Sequence, residues 1–91
     1  MKKEDYNGWT NYETWNVKLW MDNDQGSYNY FNEIARESED LYSLSEQIKE
    51  TFEENNPLND SPASVYNDLM NAALSEVNWR EIAESLKDDN K

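Results

Sequence analysis

Neither cysteine nor histidine occurs in this chain of 91 residues. Their absence excludes a disulfide framework, a metal site built on thiolate or imidazole, and a nucleophile activated by imidazole. Two glycines and two prolines are all that interrupt the chain, so long stretches are free for regular structure. Basic residues are scarce as well: eight Lys and Arg stand against twenty Asp and Glu, a formal net charge of -12. That balance argues against a direct grip on nucleic acid, which needs a basic surface to meet phosphate. No apolar run approaches the ~18 residues of a membrane span. Two lysines near the start have no apolar stretch behind them, so no secretory signal is expected and the expected setting is the cytoplasm.

What the chain does have is aromatic surface. A mean hydropathy of -1.16 and the high charge lean toward disorder, but four Trp, six Tyr and two Phe lean the other way. Each large ring buries on the order of 150–250 Å², enough for a dozen of them to build a core that seven Leu and three Ile could not. The chain therefore reads as folded, with its excess acid working against compactness at low salt.

The periodicity is helical. Thr10-Asn11-Tyr12-Glu13 has the form of a capping box, followed by Tyr12, Trp15, Leu19 and Trp20 at helical spacing as far as Asp22-Asn23. Asp24 or Ser27 caps a second helix with Tyr28, Phe31, Ile34 and Ala35 on one side. This helix either fades near Ser38 or runs through Leu41. Ser43-Leu44-Ser45-Glu46 has the form of a second capping box, with Leu44, Ile48 and Phe52 behind it. The stretch from Asn55 to Asp60 is the obvious loop. Ser61-Pro62 opens a fourth helix with a stripe of Val65, Leu69, Ala72 and Ala73. Asn78 caps a fifth, in which Trp79, Ile82, Ala83 and Leu86 recur at i, i+3, i+4 and i+7. The expectation is an all-α fold: one domain over 1–91, a compact bundle of four to five short helices with a Trp/Tyr-rich core. Residues 1–9 and 87–91 are expected to fray.

Four constellations bear on chemistry. Asp22-Asn23-Asp24-Gln25-Gly26-Ser27 with Glu33 resembles a calcium loop, but its glycine falls at position five where such a loop needs it at six. The better reading is a helix stop followed by a helix start, capped by Asp24 with Gly26 easing the turn. Paired carboxylates are plentiful, yet a small helical bundle offers little cleft to hold a substrate between them. Without His or Cys no catalytic residues are assigned, and the chain is expected not to be an enzyme. No metal site and no cofactor are expected.

Among the aromatics, Trp15, Leu19 and Trp79 are assigned to the core from their periodic positions. Trp9 reads as either a hydrophobic staple or an exposed anchor, and Tyr30 as a second aromatic anchor for a partner. The acidic rows are the most informative feature. Glu33, Glu37 and Asp40 recur at i, i+4 and i+7, Glu46, Glu50, Glu53 and Glu54 do so further on, and Glu81, Glu84 and Asp88 follow. Neighbours at i, i+4 stand about 6 Å apart, close to the roughly 6–7 Å between phosphates along one nucleic-acid strand. Such a row is either a solvated face or a functional surface. A charge of -12 exceeds the magnitude of about 2–8 that solubility asks of a small domain.

The segment from Gly8 to Asp24, GWTNYETWNVKLWMDND, resembles a family of small proteins common in phage, plasmid and bacterial genomes. The resemblance continues through Ser27–Ala35 and Val65–Leu86, about four-fifths of the chain, and is weakest from Glu37 to Ser61. Tyr12–Asn16 and the Glu76-Val77-Asn78-Trp79 turn are its distinctive parts. It implies a compact helical domain and an origin in mobile elements, and brings no catalytic or ligand residues with it. In that setting the host cytoplasm is the expected location. Small acidic phage proteins that block host defence enzymes, such as antirestriction and anti-CRISPR proteins imitating DNA, are analogues by composition and origin.

The leading expectation is thus a non-enzymatic acidic inhibitor. Glu33, Glu37, Asp40, Glu46, Glu50, Glu53 and Glu54 would occupy the basic channel of a nucleic-acid-processing enzyme, such as a restriction nuclease or CRISPR effector. Trp9 and Tyr30 would supply apolar contacts. Its partner would be a protein with a basic surface, with no nucleic acid and no membrane bound directly. The alternative is a small adaptor that binds a protein through an apolar patch, with acid serving solubility.

Overall fold

The computed structural model describes residues 8–58 and 62–90. Five helices follow in order: α1 (Tyr12–Asn23), α2 (Gln25–Glu37), α3 (Leu41–Glu54), α4 (Val65–Glu76) and α5 (Trp79–Asp89). Among the described residues there is no strand. Each helix begins at a side-chain cap, which satisfies an amide that the first turn leaves without a helical partner. Asp24 caps α2 and Asn78 caps α5, as the sequence indicates.

Three other boundaries shift. Asn11, not Thr10, caps α1, accepting from the Thr14 N–H at 2.9 Å. Asn11 wins because its Nδ2 also donates to the Glu76 carbonyl at 2.6 Å, a long-range contact open only to the longer amide. The Thr10 N–H instead donates to Glu81 Oε1 at 2.9 Å. Asp40 caps α3 one turn ahead of Ser43, which puts Leu41 inside the helix and against the core. Ser64 caps α4, so Pro62 precedes the helix; the expected cap Ser61, and Asn59 and Asp60 of the loop, lie outside the described residues.

The core is built mostly by α3 and α5, which pack more extensively on each other than any other pair. Leu44 and Ile48 from α3 meet Ile82, Ala83 and Leu86 from α5, all at most 1 % exposed. Ala83 leaves no bulk between the two helices, and each large side chain here contributes roughly 1.5–3 kcal/mol by burial. Phe31, Ile34 and Ala35 of α2 close one side, with Met21 of α1 and Val77 of the α4–α5 turn. An aromatic run joins this cluster. Phe31 stacks on Phe52 at 5.6 Å between centroids, and Phe52 meets Trp79 at 5.6 Å. Trp9 also packs on the core.

Two helices turn a different face inward from the one their apolar residues suggest. In α1 the buried residues are Thr14, Lys18 and Met21, whereas Leu19 is exposed, Tyr12 is 51 % exposed and Trp20 is 65 % exposed. Trp15 is half-buried, with its ring against Tyr12 at 5.5 Å, and lies outside the set of side chains packed on the core. The core assignments of Leu19 and Trp15 are therefore corrected, whereas Trp79 does pack on the core. Thr14 takes their place at little cost because its hydroxyl is bonded at both ends: Oγ1 donates to Asn11 Oδ1 at 2.6 Å and accepts from the Asn78 N–H at 2.8 Å. Lys18 lays its stem along the interior and pairs its ammonium with Asp22 at 2.7 Å. In α4 no residue is buried, and Val65 and Leu69 are each 63 % exposed. The stripe of Val65, Leu69, Ala72 and Ala73 faces away from the body. Asn67, Met70 and Leu74, on the opposite side, are the less exposed positions.

The C-terminal stretch, expected to fray, is helical through Asp89 and tied down. Lys87 Nζ donates to the Ser38 carbonyl, and Asn90 Nδ2 donates to Asn32 Oδ1 at 2.6 Å. Gly8 and Trp9 are described at the other end; residues 1–7 and 91 lie outside the described residues.

Candidate functional site

The acidic rows are positioned by helix phase. On α3 the core takes Leu44 and Ile48, which leaves Glu46, Glu50, Glu53 and Glu54 together on the opposite side. Glu50, Glu53 and Glu54 are exposed and Glu46 is half-buried. Like charges at i, i+3 and i+4 cost the helix about 0.2–0.5 kcal/mol per pair. Lys49, beside this row, is half-buried. The row is therefore tolerated by the packing of α3 on α5 rather than favoured by the helix itself.

The row from Glu33 to Asp40 is not continuous. Glu33 and Glu37 are exposed on α2, but that helix ends at Glu37. Asp40 belongs to the next helix, where its Oδ1 accepts from the Ser43 N–H at 2.7 Å. That bond, then one from the Ser43 side chain, holds the Asp40 carboxyl below its ordinary value. Asp40 is exposed, so it adds charge to this side of the molecule while fixing the start of α3. The i+7 spacing to Glu33 assumed an uninterrupted helix, and Ser38 interrupts it: its hydroxyl donates to the Ile34 carbonyl at 2.7 Å and its backbone is extended.

Several of the few cations are engaged within the fold. Arg36 donates to Asn90 Oδ1 at 3.0 Å, Lys87 to the Ser38 carbonyl, and Lys18 to Asp22.

Of the two aromatic anchors, Trp9 is half-buried against the core and Tyr30 is 44 % exposed. The Tyr30 ring sits edge-on to Phe31 at 5.1 Å. Tyr30, Phe31 and Phe52 line a groove of about 470 Å³ between the start of α2 and the end of α3, with Asp24, Thr51 and Asn55 at its rim. The calcium-like segment forms the joint between α1 and α2. Asp24 donates its N–H to the Trp20 carbonyl at 3.3 Å, closing α1, and accepts from the Ser27 N–H at 3.0 Å, opening α2. The Ser27 hydroxyl and then its N–H lower the Asp24 carboxyl. Asp22 is held by Lys18. Both carboxylates thus have structural work, as the stop-and-start reading has it, but Gly26 lies within the first turn of α2 and eases no turn before it.

A second groove, about 490 Å³, runs between α3, α4 and the start of α5, with Lys49, Glu53, Asn71 and Leu74 in its wall. The outward stripe of α4 has no counterpart among the candidate site residues drawn from the sequence. Its apolar spacing was legible, but a period gives a stripe and not the side of the molecule it faces.

No curated protein and no solved structure matches the chain. Residues 2–90 match the model of a family described as a family of unknown function (DUF7249), and the chain belongs to that family.

Proposed function

We propose that this protein is a non-enzymatic acidic inhibitor that occupies the basic nucleic-acid channel of a defence enzyme, a restriction nuclease or CRISPR effector. The observation that carries the reading is the α3 row: Glu46, Glu50, Glu53 and Glu54 on one side of a helix whose other side is the core. A helix repeats i, i+4 neighbours at about 6 Å, so the row sets carboxylates at a phosphate-like interval on a rigid support. Glu33, Glu37 and Asp40 add charge from the α2–α3 corner, and Tyr30 offers the apolar contact that gives affinity beyond steering.

The test is capture of tagged protein on a resin from nuclease-treated bacterial lysate, eluted in rising salt. A nucleic-acid-processing enzyme released at moderate salt and displaced by added DNA is the expected result. The combined variant Glu46→Gln, Glu50→Gln, Glu53→Gln should capture less while keeping its helical circular dichroism. Equal capture by that variant would remove α3 from the interface.

A second reading, an adaptor that binds protein through an apolar patch, has its own support in the exposed Val65, Tyr66 and Leu69. A partner that withstands high salt and is not displaced by DNA would favour it.

A further inference from the structure

We propose that the groove between α3, α4 and the start of α5 binds a free α-amino acid with an apolar side chain, meeting both of its charges with polar groups of the wall. The groove has a volume of about 490 Å³, within the ~300–1,000 Å³ of small-molecule sites. It exists because α4 packs on α1, which leaves space between α4 and α3. Two polar side chains in its wall have bonding capacity that the fold does not use.

The first is Lys49. Of the three described cations that are not exposed, Lys18 bonds Asp22 and Lys87 bonds the Ser38 carbonyl, whereas Lys49 makes no hydrogen bond or ion pair. Glu46 and Glu53 stand at i−3 and i+4 on the same helix, where opposite charges readily meet, yet Lys49 pairs with neither. It lies in the groove wall instead. A half-buried ammonium with three donors and no acceptor favours an anionic group beside it.

The second is Asn56, which is only 9 % exposed. Its Oδ1 accepts from the Leu58 N–H at 2.9 Å, while its Nδ2 donates to nothing. No side-chain polar atom among the described residues is both fully inaccessible and unpaired, so this amide reaches solvent, and Asn56 lines the groove. From α4, Asn71 brings the opposite capacity: its Nδ2 donates to Asn67 Oδ1 at 3.1 Å and its Oδ1 accepts from nothing. The wall thus combines the donors Lys49 Nζ and Asn56 Nδ2 with the acceptors Asn71 Oδ1 and the Glu53 carboxylate, and Leu74 and Trp79 give it an apolar part.

Charge selects the ligand. A net anion approaches a chain of net charge -12 against repulsion, and a net cation meets the Lys49 ammonium at the wall. A zwitterion carries no net charge and uses both signs of the wall. Its carboxylate takes Lys49 and Asn56, its ammonium takes Asn71 and Glu53, and an apolar side chain lies on Leu74 and Trp79. For about ten heavy atoms in an open groove, a Kd of about 0.1–1 mM is expected. The site goes beyond the inhibitor reading and needs no target, so its test fails or succeeds separately.

Heteronuclear NMR of the full chain tests this, with L-leucine and L-phenylalanine as probes. Each is compared with the matching acid lacking the amino group and the matching amine lacking the carboxyl. The side-chain amides of Asn56 and Asn71 and the indole N–H of Trp79 should shift together with one Kd for at least one amino acid. The acid and the amine should each bind about tenfold more weakly, having lost one charged hydrogen-bonding end. Lys49→Met should weaken binding about tenfold with unchanged circular dichroism. Asn71→Ala, at an exposed residue, should weaken it about threefold or more. No shift up to about 10 mM of either amino acid overturns the proposal. So does an acid that binds as tightly as its amino acid, which would leave an anion site only, and so does Lys49→Met binding like wild type.

Discussion

Thr14 offers the sharpest test of how α1 is held. Its side chain is fully buried, and its hydroxyl links the α1 cap to the start of α5: Oγ1 donates to Asn11 Oδ1 at 2.6 Å and accepts from the Asn78 N–H at 2.8 Å. Valine has the same shape without the hydroxyl. If apolar burial governed this site, Thr14→Val would hold or improve stability. If the hydrogen bonds govern it, the Asn78 N–H loses its acceptor, and a buried unpaired donor costs about 1–3 kcal/mol. Asn78 itself is exposed, so water recovers part of that loss and the expected cost is the lower half, about 1–2 kcal/mol. Urea unfolding followed by tryptophan fluorescence reads this directly. With m of about 2 kcal/mol per molar, the middle of the usual range, the midpoint should fall by roughly 0.5–1 M. The thermal midpoint should fall by about 4–8 °C for each kcal/mol lost. Combined with Asn11→Ala, which removes the partner, the double variant should cost less than the sum of the single ones. A valine variant as stable as wild type would refute the latch.

Two further predictions concern charge. Asp24 and Asp40 have carboxyls lowered by their cap bonds to Ser27 and Ser43, so their contribution is complete above the unfolded value of about 3.9 and is lost as pH falls through the folded values. Asparagine caps equally well without titrating, so Asp24→Asn with Asp40→Asn should flatten the loss of urea resistance below about pH 4. An unchanged pH profile would contradict this. Lys18 is 7 % exposed at its side chain and Asp22 44 %. Lys18→Met should change stability by less than about 1 kcal/mol, because a well-packed apolar side chain replaces a desolvated ion. Asp22→Ala strands the ammonium and should cost more, about 1–2 kcal/mol, with the two urea midpoints as the measurement.

Much of this fold is written in short-range signals. The all-helical class, the cap Asn78 and the core stripe of α5 follow from residue type and spacing alone, and Asp24 is one of the two caps offered there for α2. The errors share a cause, which is that a tertiary contact decided between two locally acceptable choices. Thr10 and Asn11 can both cap, and the Glu76 carbonyl selects Asn11. Ser43 and Asp40 can both cap, and burial of Leu41 favours the earlier start. In α1 the aromatic weight of Tyr12, Trp15 and Trp20 pointed one way. A weaker set on the opposite side, Thr14, Val17, Lys18 and Met21, took the interior because Thr14 could bond Asn78 at the start of α5, with the Lys18 ammonium satisfied by Asp22 of the same helix. The acidic face of α3 was legible because its period is intact, whereas the α2 row lost Asp40 to a helix end at Ser38 that the sequence left open.

The place of α5 in the core has a consequence for synthesis. It is the helix on which α1, α2 and α3 all rest, and it is the last of the five to be made. Until it emerges, Leu44 and Ile48 lack the side chains that bury them, and the Asn78 amide is not there for Thr14. At about 5–20 residues per second the ribosome leaves this unfinished bundle open for seconds.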